Sequence, residues 1–304
     1  MKKWLYTTVA FSFVLTACND AANEENDQQH EETGYTVEDA RGMELTFDEP
    51  PETIISILPS NTEIIFALGQ GDKVIGVSDA DVYPEEVTDI EVVAEYENPY
   101  VERMLELDPD LIIGYDYGSN EMAQLNDVGL PAFAIDSAQT MADIFEDIQT
   151  IADVLAVPEE GERLIAEMKA EFDEIAEAVA DVEKRSVYFE ISPSPDIWTL
   201  GVGTFQHEMI EIAGLENVFS DVEGWASISD EEVVARNPEL IYTSVNYTED
   251  PLEDIRQRDG WSTIEAIQQD QLEQMPPDIM DRPGPRIAEA TRILAETAYP
   301  EAFQ

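Results

Sequence analysis

Five aromatic residues, Tyr83, Tyr96, Tyr115, Trp198 and Trp225, stand just after predicted strands or within long loops. Asp281, Arg282 and Arg286 lie on or beside the rigid turn Arg282-Pro283-Gly284-Pro285-Arg286. Aromatic faces give contact area at low conformational cost, and in parallel α/β sheets residues beyond the carboxyl ends of the strands line clefts. The chemistry these residues imply is recognition of a large planar or macrocyclic ligand. Covalent and metal chemistry lack their residues. His30 falls in a polar N-terminal stretch, which leaves His207 as the only histidine in the part expected to fold, so a multi-histidine zinc or manganese site cannot be assembled. Cys18 is the one cysteine, and there is no Gly-x-Ser-x-Gly elbow or phosphate-binding glycine loop. Carboxylate pairs are uninformative among 68 acidic residues, so an extracytoplasmic carboxylate-dependent glycosidase is the distant alternative.

Positioning such a cleft needs two bodies and a connector. From Pro158 to about Val182, Leu164, Met168, Phe172, Ile175, Val179 and Val182 recur at steps of three and four with acids and Lys169 between them, the period of an amphipathic helix. At about 1.5 Å per residue it is long enough to join two domains. A short box occurs once on each side of it. Glu102 precedes Pro109 by seven residues and Glu231 precedes Pro238 by the same interval, each proline ending a helical turn and opening an apolar strand.

Strand and helix signals alternate on both sides. Tyr35 to Phe47 reads as a hairpin about Asp39-Ala40-Arg41-Gly42, Thr53 to Ile57 as a strand, and Ser60 with Glu63 as a capping box. Further strands are predicted at 73–77, 111–113 and 132–135, with helices near 120–128 and 140–155. After the connector come strands at 186–191, 240–243 and 272–275, helices at 205–213, 252–258 and 287–298, and a second capping box at Ser229 and Glu232. The alternation predicts an α/β fold, two lobes with mainly parallel sheets covered on both faces and joined by one long α-helix. The segments are 1–17 signal peptide, 18–34 lipidated disordered tether, 35–157 N-terminal lobe, 158–183 linking helix and 184–304 C-terminal lobe.

The first seventeen residues have signal-peptide anatomy, basic at Lys2 and Lys3, apolar from Trp4 to Val14, then small. Without a second cysteine no intramolecular disulfide can form. The formal charge is −53, and cleavage before Cys18 would remove two bases and no acid. Such a field repels nucleic acid and anionic membrane surfaces, and acids spread along the whole chain read as a solvated surface suited to high salt or high pH.

Leu15-Thr16-Ala17-Cys18 resembles the bacterial lipobox, in which the cysteine becomes the lipid-modified first residue. From about Tyr35 onward the chain resembles the substrate-binding lipoproteins of ABC importers, in the subgroup that carries vitamin B12, ferric siderophores or haem between two Rossmann-like lobes on a single helix. The residues that carry the resemblance are Pro59-Ser60-Asn61-Thr62-Glu63 through Gly69, Val74-Ile75-Gly76-Val77, the Glu102 box, Trp225 to Leu240 and Gly284-Pro285-Arg286-Ile287. It implies a monomeric, non-enzymatic, extracytoplasmic protein anchored to the cell membrane, without a cofactor, serving a permease and its ATPase. It implies that Glu102 and Glu231 dock on permease arginines. Aligned with the cobalamin binders, the cleft residues are Tyr83, Tyr96, Tyr115, Trp198 and Trp225, with Asp278, Asp281 and Arg282 on the polar loop. Tyr stands for Trp in places, and Ile279-Met280 replaces an aromatic pair. The expected ligand is cobalamin; ferric hydroxamate siderophores and haem are the alternatives. An anionic iron chelate would want a basic cleft, which so few Lys and Arg can hardly build, whereas the tyrosines could ligate haem.

Overall fold

The computed structural model describes residues 34–95, 98–115 and 120–304. The expected signal peptide, nearly all of the tether, Cys18 and Tyr96 lie outside the described residues. A hairpin of β1 (Tyr35–Glu38) and β2 (Glu44–Phe47) opens the chain, as its turn signal predicts. The first lobe follows as β3 (Ile54–Ser56), α1 (Pro59–Ala67), β4 (Val74–Ser78), β5 (Val92–Glu95), β6 (Asn98–Pro99), α2 (Val101–Leu107), β7 (Leu111–Tyr115), α3 (Glu121–Asp127), β8 (Ala132–Ile135) and α4 (Met141–Val154). Its sheet runs β6-β5-β4-β3-β7-β8, parallel apart from the antiparallel edge strand β6. β7 and β8 are buried along their whole length, because helices cover both faces.

The linking helix is α5 (Pro158–Ala178). Its 21 residues span about 30 Å. It stops short of the predicted Val182, although the apolar period continues. Val179, the C-cap, is buried beside Gly214, so the later valines answer to packing against the next lobe rather than to a continuing helix.

The second lobe comprises β9 (Ser186–Ser192), β10 (Trp198–Leu200), α6 (Phe205–Ile212), β11 (Glu216–Asn217), β12 (Trp225–Ser227), α7 (Asp230–Arg236), β13 (Leu240–Thr243), α8 (Pro251–Arg256), α9 (Glu265–Gln268), β14 (Leu272–Gln274), α10 (Pro277–Met280) and α11 (Ile287–Ala298). Its sheet, β12-β10-β9-β13-β14 with β11 beside β9, is mixed, parallel where β9 meets β11 and β13 and where β13 meets β14. β10 is antiparallel to both of its neighbours. β10, β11 and β12 are two or three residues long, too short for their sequence pattern to signal a strand.

One apolar core runs through both lobes along the linking helix. Ile54, Ile113 and Phe133 of the first sheet, Ile144, Ile148 and Ile151 of α4, Met168, Phe172 and Ile175 of α5, and Leu294 of α11 belong to one contiguous cluster with Val187 and Phe189 of the second sheet. The helices α4 and α5 approach closely at Gly161, where a Cβ would lie 2.6 Å from that of Ala152, so only glycine fits. Arg292 of α11 ties to α5 through Glu171 at 3.0 Å and Glu174 at 3.5 Å. All described arginines except Arg185 lie within 4.0 Å of a carboxylate. Among the described residues no helix is long and apolar enough to cross a membrane.

A core shared by both lobes predicts one cooperative transition. Ile175→Ala, at a fully buried position on α5, is expected to cost about 2–5 kcal/mol. Tryptophan fluorescence, which reports the second lobe, and circular dichroism, which reports both, should shift together in denaturant; separate midpoints would mean that the lobes unfold independently.

Candidate functional site

The candidate cleft residues sit on loops and strand ends of the two sheets. Tyr115 closes β7 and is 9% exposed, its hydroxyl 3.4 Å from Ser60 Oγ in the first turn of α1. Ser60 is not the cap of that helix, and the predicted capping box does not form. Leu58 is the N-cap and Pro59 the first helical residue, without a side-chain cap. Proline is favoured at that position by its fixed φ and missing N–H. Starting there places Ser60 and Glu63 two residues too far into the helix for the reciprocal bonds of a box. The second predicted box is present: Ser229 Oγ accepts from the Glu232 N–H, and the Glu232 carboxylate accepts from the Ser229 N–H.

Freed from capping, Glu63 makes a long-range pairing that local spacing does not signal. Its carboxylate, 4% exposed as a residue, accepts from Arg286 Nε at 2.8 Å and Nη2 at 2.5 Å, and from Arg282 Nη1 at 3.3 Å. Both arginines belong to the turn before α11, so the node joins the first lobe to the second. Arg282 also donates to the Ala80 carbonyl at 3.3 Å and pairs with Asp278 Oδ1 at 3.1 Å. The Arg286 guanidinium lies 3.9 Å from the centroid of the Tyr83 ring, a cation–π contact, while Tyr83 remains 45% exposed. Asp81, buried beneath, accepts from the Ser78 N–H and hydroxyl; burial raises its carboxyl above the usual range, opposed by those bonds, by Thr62 and by Arg282. A second junction lies at the start of α4 and α6, where the Phe205 N–H donates to the Gln139 carbonyl at 2.6 Å.

On the other wall the two candidate tryptophans are strand residues rather than loop residues. β10 and β12 pair Trp198 with Ser227 and Leu200 with Trp225, which puts both indoles on one face of the ladder. Trp198 is 40% exposed. Trp225 is half-buried, its Nε1–H donating to Gln206 Oε1 at 3.2 Å and its ring edge-on to Phe205 at 6.3 Å. Gln206 also faces Asp281. That aspartate is exposed. Desolvation there raises its carboxyl to about 6; Ser244 and Gln206 pull the other way, the Ser244 hydroxyl being buried without a well-formed hydrogen bond. The Asp281 carboxyl is available as an acceptor. His207, buried on α6 with its Nδ1 on Asn217 at 3.1 Å, is a packing residue. Among the described residues no three His, Cys, Asp or Glu side chains are grouped to hold a metal ion.

Glu102 and Glu231 occupy the same place in each lobe. Each is the second residue of a seven-residue helix, α2 or α7, and each is exposed. Each helix ends on a left-handed residue, Asp108 at φ 49° and Asn237 at φ 47°, followed by a buried proline and a fully buried strand. Asp and Asn are the side chains best able to adopt that conformation.

Two sheets joined along one linking helix are the architecture of a two-lobed solute-binding protein. The chain belongs to the periplasmic binding protein family, which residues 54–279 match. It is 34% identical to the uncharacterized ABC transporter substrate-binding lipoprotein YvrC of Bacillus subtilis (strain 168), over 96% of this chain and 95% of that one. The crystal structure of a possible iron-binding, periplasmic solute-binding protein from Staphylococcus epidermidis matches with a TM-score of 0.75 and 32% identity, covering 83% of this chain and all of that one. The vitamin B12-binding protein BtuF of Vibrio cholerae matches with a TM-score of 0.66 and 28% identity, covering 84% and 99%.

Removing the Glu63 carboxylate would strand two half-buried guanidinium groups. Glu63→Ala is expected to lose about 3–5 kcal/mol and to speed hydrogen exchange in residues 278–286; unchanged stability would show that the node carries no load between the lobes.

Proposed function

We propose that the protein captures a corrinoid, cobalamin, between its lobes and delivers it to an ABC importer permease driven by its ATPase. The observation that carries the reading is the pair of indoles, Trp198 and Trp225, set on one face of the β10–β12 ladder with Trp198 open to solvent. An aromatic face suits a macrocycle better than a small polar solute. The likeness to a vitamin B12-binding protein supports it. In this reading Tyr83, Tyr96 and Tyr115 form the opposite wall. Asp281, available as an acceptor, takes hydrogen bonds from the ligand's amide periphery, with Asp278 and Arg282 beside it. The second reading, a ferric hydroxamate or haem carrier, draws on the likeness to a possible iron-binding protein, which has the higher TM-score and identity of the two structures.

The protein works outside the cytoplasm as a monomer, held to the cell membrane by lipid on Cys18 after removal of the signal peptide. Glu102 and Glu231 dock on the permease. A solvated acid in a first helical turn is worth only a few tenths of a kcal/mol to about 1 kcal/mol to its helix, too little to explain its repetition in equivalent places.

Titrating cyanocobalamin, ferric hydroxamates and haemin in parallel by calorimetry and tryptophan fluorescence separates the readings. Tight one-to-one cobalamin binding is expected, weakened at least about tenfold, or about 1.4 kcal/mol, in Trp198→Ala and in Trp225→Ala. A response only to an iron chelate or haemin would replace the ligand. The double substitution Glu102→Ala with Glu231→Ala is expected to abolish uptake by cells while the affinity of the purified protein stays unchanged; lost affinity would refute the docking role.

A further inference from the structure

Outside the cleft residues, the first lobe holds a pocket of about 390 Å³ between the hairpin, the end of β8 and the outer face of α4. Its acidic lining is Glu38 and Asp39 from the hairpin, Asp136 from the loop after β8, and Asp143, Glu146 and Asp147 from α4. No lysine or arginine lines it. Arg41, on the same hairpin, pairs through Nε and Nη2 with Asp39, Asn126 Oδ1 and the Ala132 carbonyl, while its Nη1 is buried without a partner. Two of the acids have structural duties: Asp39 also accepts from the Ala134 N–H, and Asp143 caps α4.

Asp147 is different. It is 7% exposed, and among the described residues it has no hydrogen bond and no ion pair. Buried carboxylates ordinarily have partners, because leaving one desolvated and unpaired costs several kcal/mol when it is charged. Nothing in the protein supplies that partner, and the open side of the residue is the pocket.

We propose that this pocket binds a small organic ammonium ion, with the charged nitrogen on the Asp147 carboxylate. The chemistry of the lining selects the ligand class. The charge must be positive. Direct chelation of a metal is disfavoured, since no three acids are grouped for it. An N–H donor needs no such geometry and finds further acceptors in the Thr150 and Ser137 hydroxyls and the Gln139 side chain, all on the lining. The volume takes a ligand of several heavy atoms rather than a bare ion.

Burial, reinforced by Asp136, Asp143 and Glu146, raises the empty-site carboxyl of Asp147 to about 8. The ammonium ion therefore displaces a proton below that pH. Because the folded-state value lies above the ordinary one, holding Asp147 ionised costs stability as pH rises toward about 8, and a bound cation returns it.

The test is calorimetry of putrescine, and separately of calcium and sodium chlorides, with the full chain in two buffers of different ionisation enthalpy. One saturable putrescine site is expected, its affinity rising up to about tenfold per pH unit below pH 8 with release of about one proton. Asp147→Asn should weaken binding at least tenfold and remove the pH dependence, and Thr150→Val should weaken it less. Glu159→Gln, on the exposed start of α5, should change nothing. Absence of a saturable site, equal affinity in Asp147→Asn and Glu159→Gln, or calcium binding that excludes putrescine would each overturn the proposal. If Asp147→Asn does not fold, proton release by the unaltered chain decides the matter: none means no ammonium on Asp147.

Discussion

The structure depends on holding two sheets in one fixed arrangement about a single helix. The apolar seam along α5 does most of this, since it joins both cores in one contiguous cluster. Hydrophobic burial has no direction, however, and a seam alone would let the lobes roll about it. The carboxylate of Glu63, gripping Arg282 and Arg286, adds the directional constraint, because bidentate pairing fixes the angle as well as the distance between partners. Tyr83 beneath Arg286 extends the same node toward the candidate cleft.

Much of the fold was legible in the sequence where a pattern was long or punctuated. The helix Ile287–Ala298 and the strands Ala132–Ile135 and Leu240–Thr243 have the predicted bounds, each being an apolar run stopped by proline, glycine or a change of period. Elements as short as β10 and β12 show no period, so the strand positions of Trp198 and Trp225 leave no mark in the sequence. The role of Glu63 was illegible for another reason. Ser-x-x-Glu is a valid capping signal, and the preceding proline, by starting the helix two residues early, leaves the glutamate free for a partner more than 200 positions away. Long-range pairing leaves no trace in local spacing.

The candidate walls were only partly legible. Residue type drew attention to Asp281, yet its neighbours Gln206 and Ser244 belong to α6 and to the end of β13, and only the folded chain brings them to it. Asp147 was hidden more thoroughly. In a sequence with 68 acids, one more on an amphipathic helix looks like surface, and its burial follows from the hairpin packing across α4.

The pairing of nearly every described arginine with a carboxylate has an electrokinetic consequence. Each such pair is a short dipole whose field dies away within about one Debye length, some 8 Å at physiological ionic strength. What a distant ion senses is the excess of unpartnered acids alone. The molecule is in that respect a compact polyelectrolyte, travelling with a dense atmosphere of small cations, and its mobility in an electric field should follow the salt concentration more steeply than that of a protein with balanced charge.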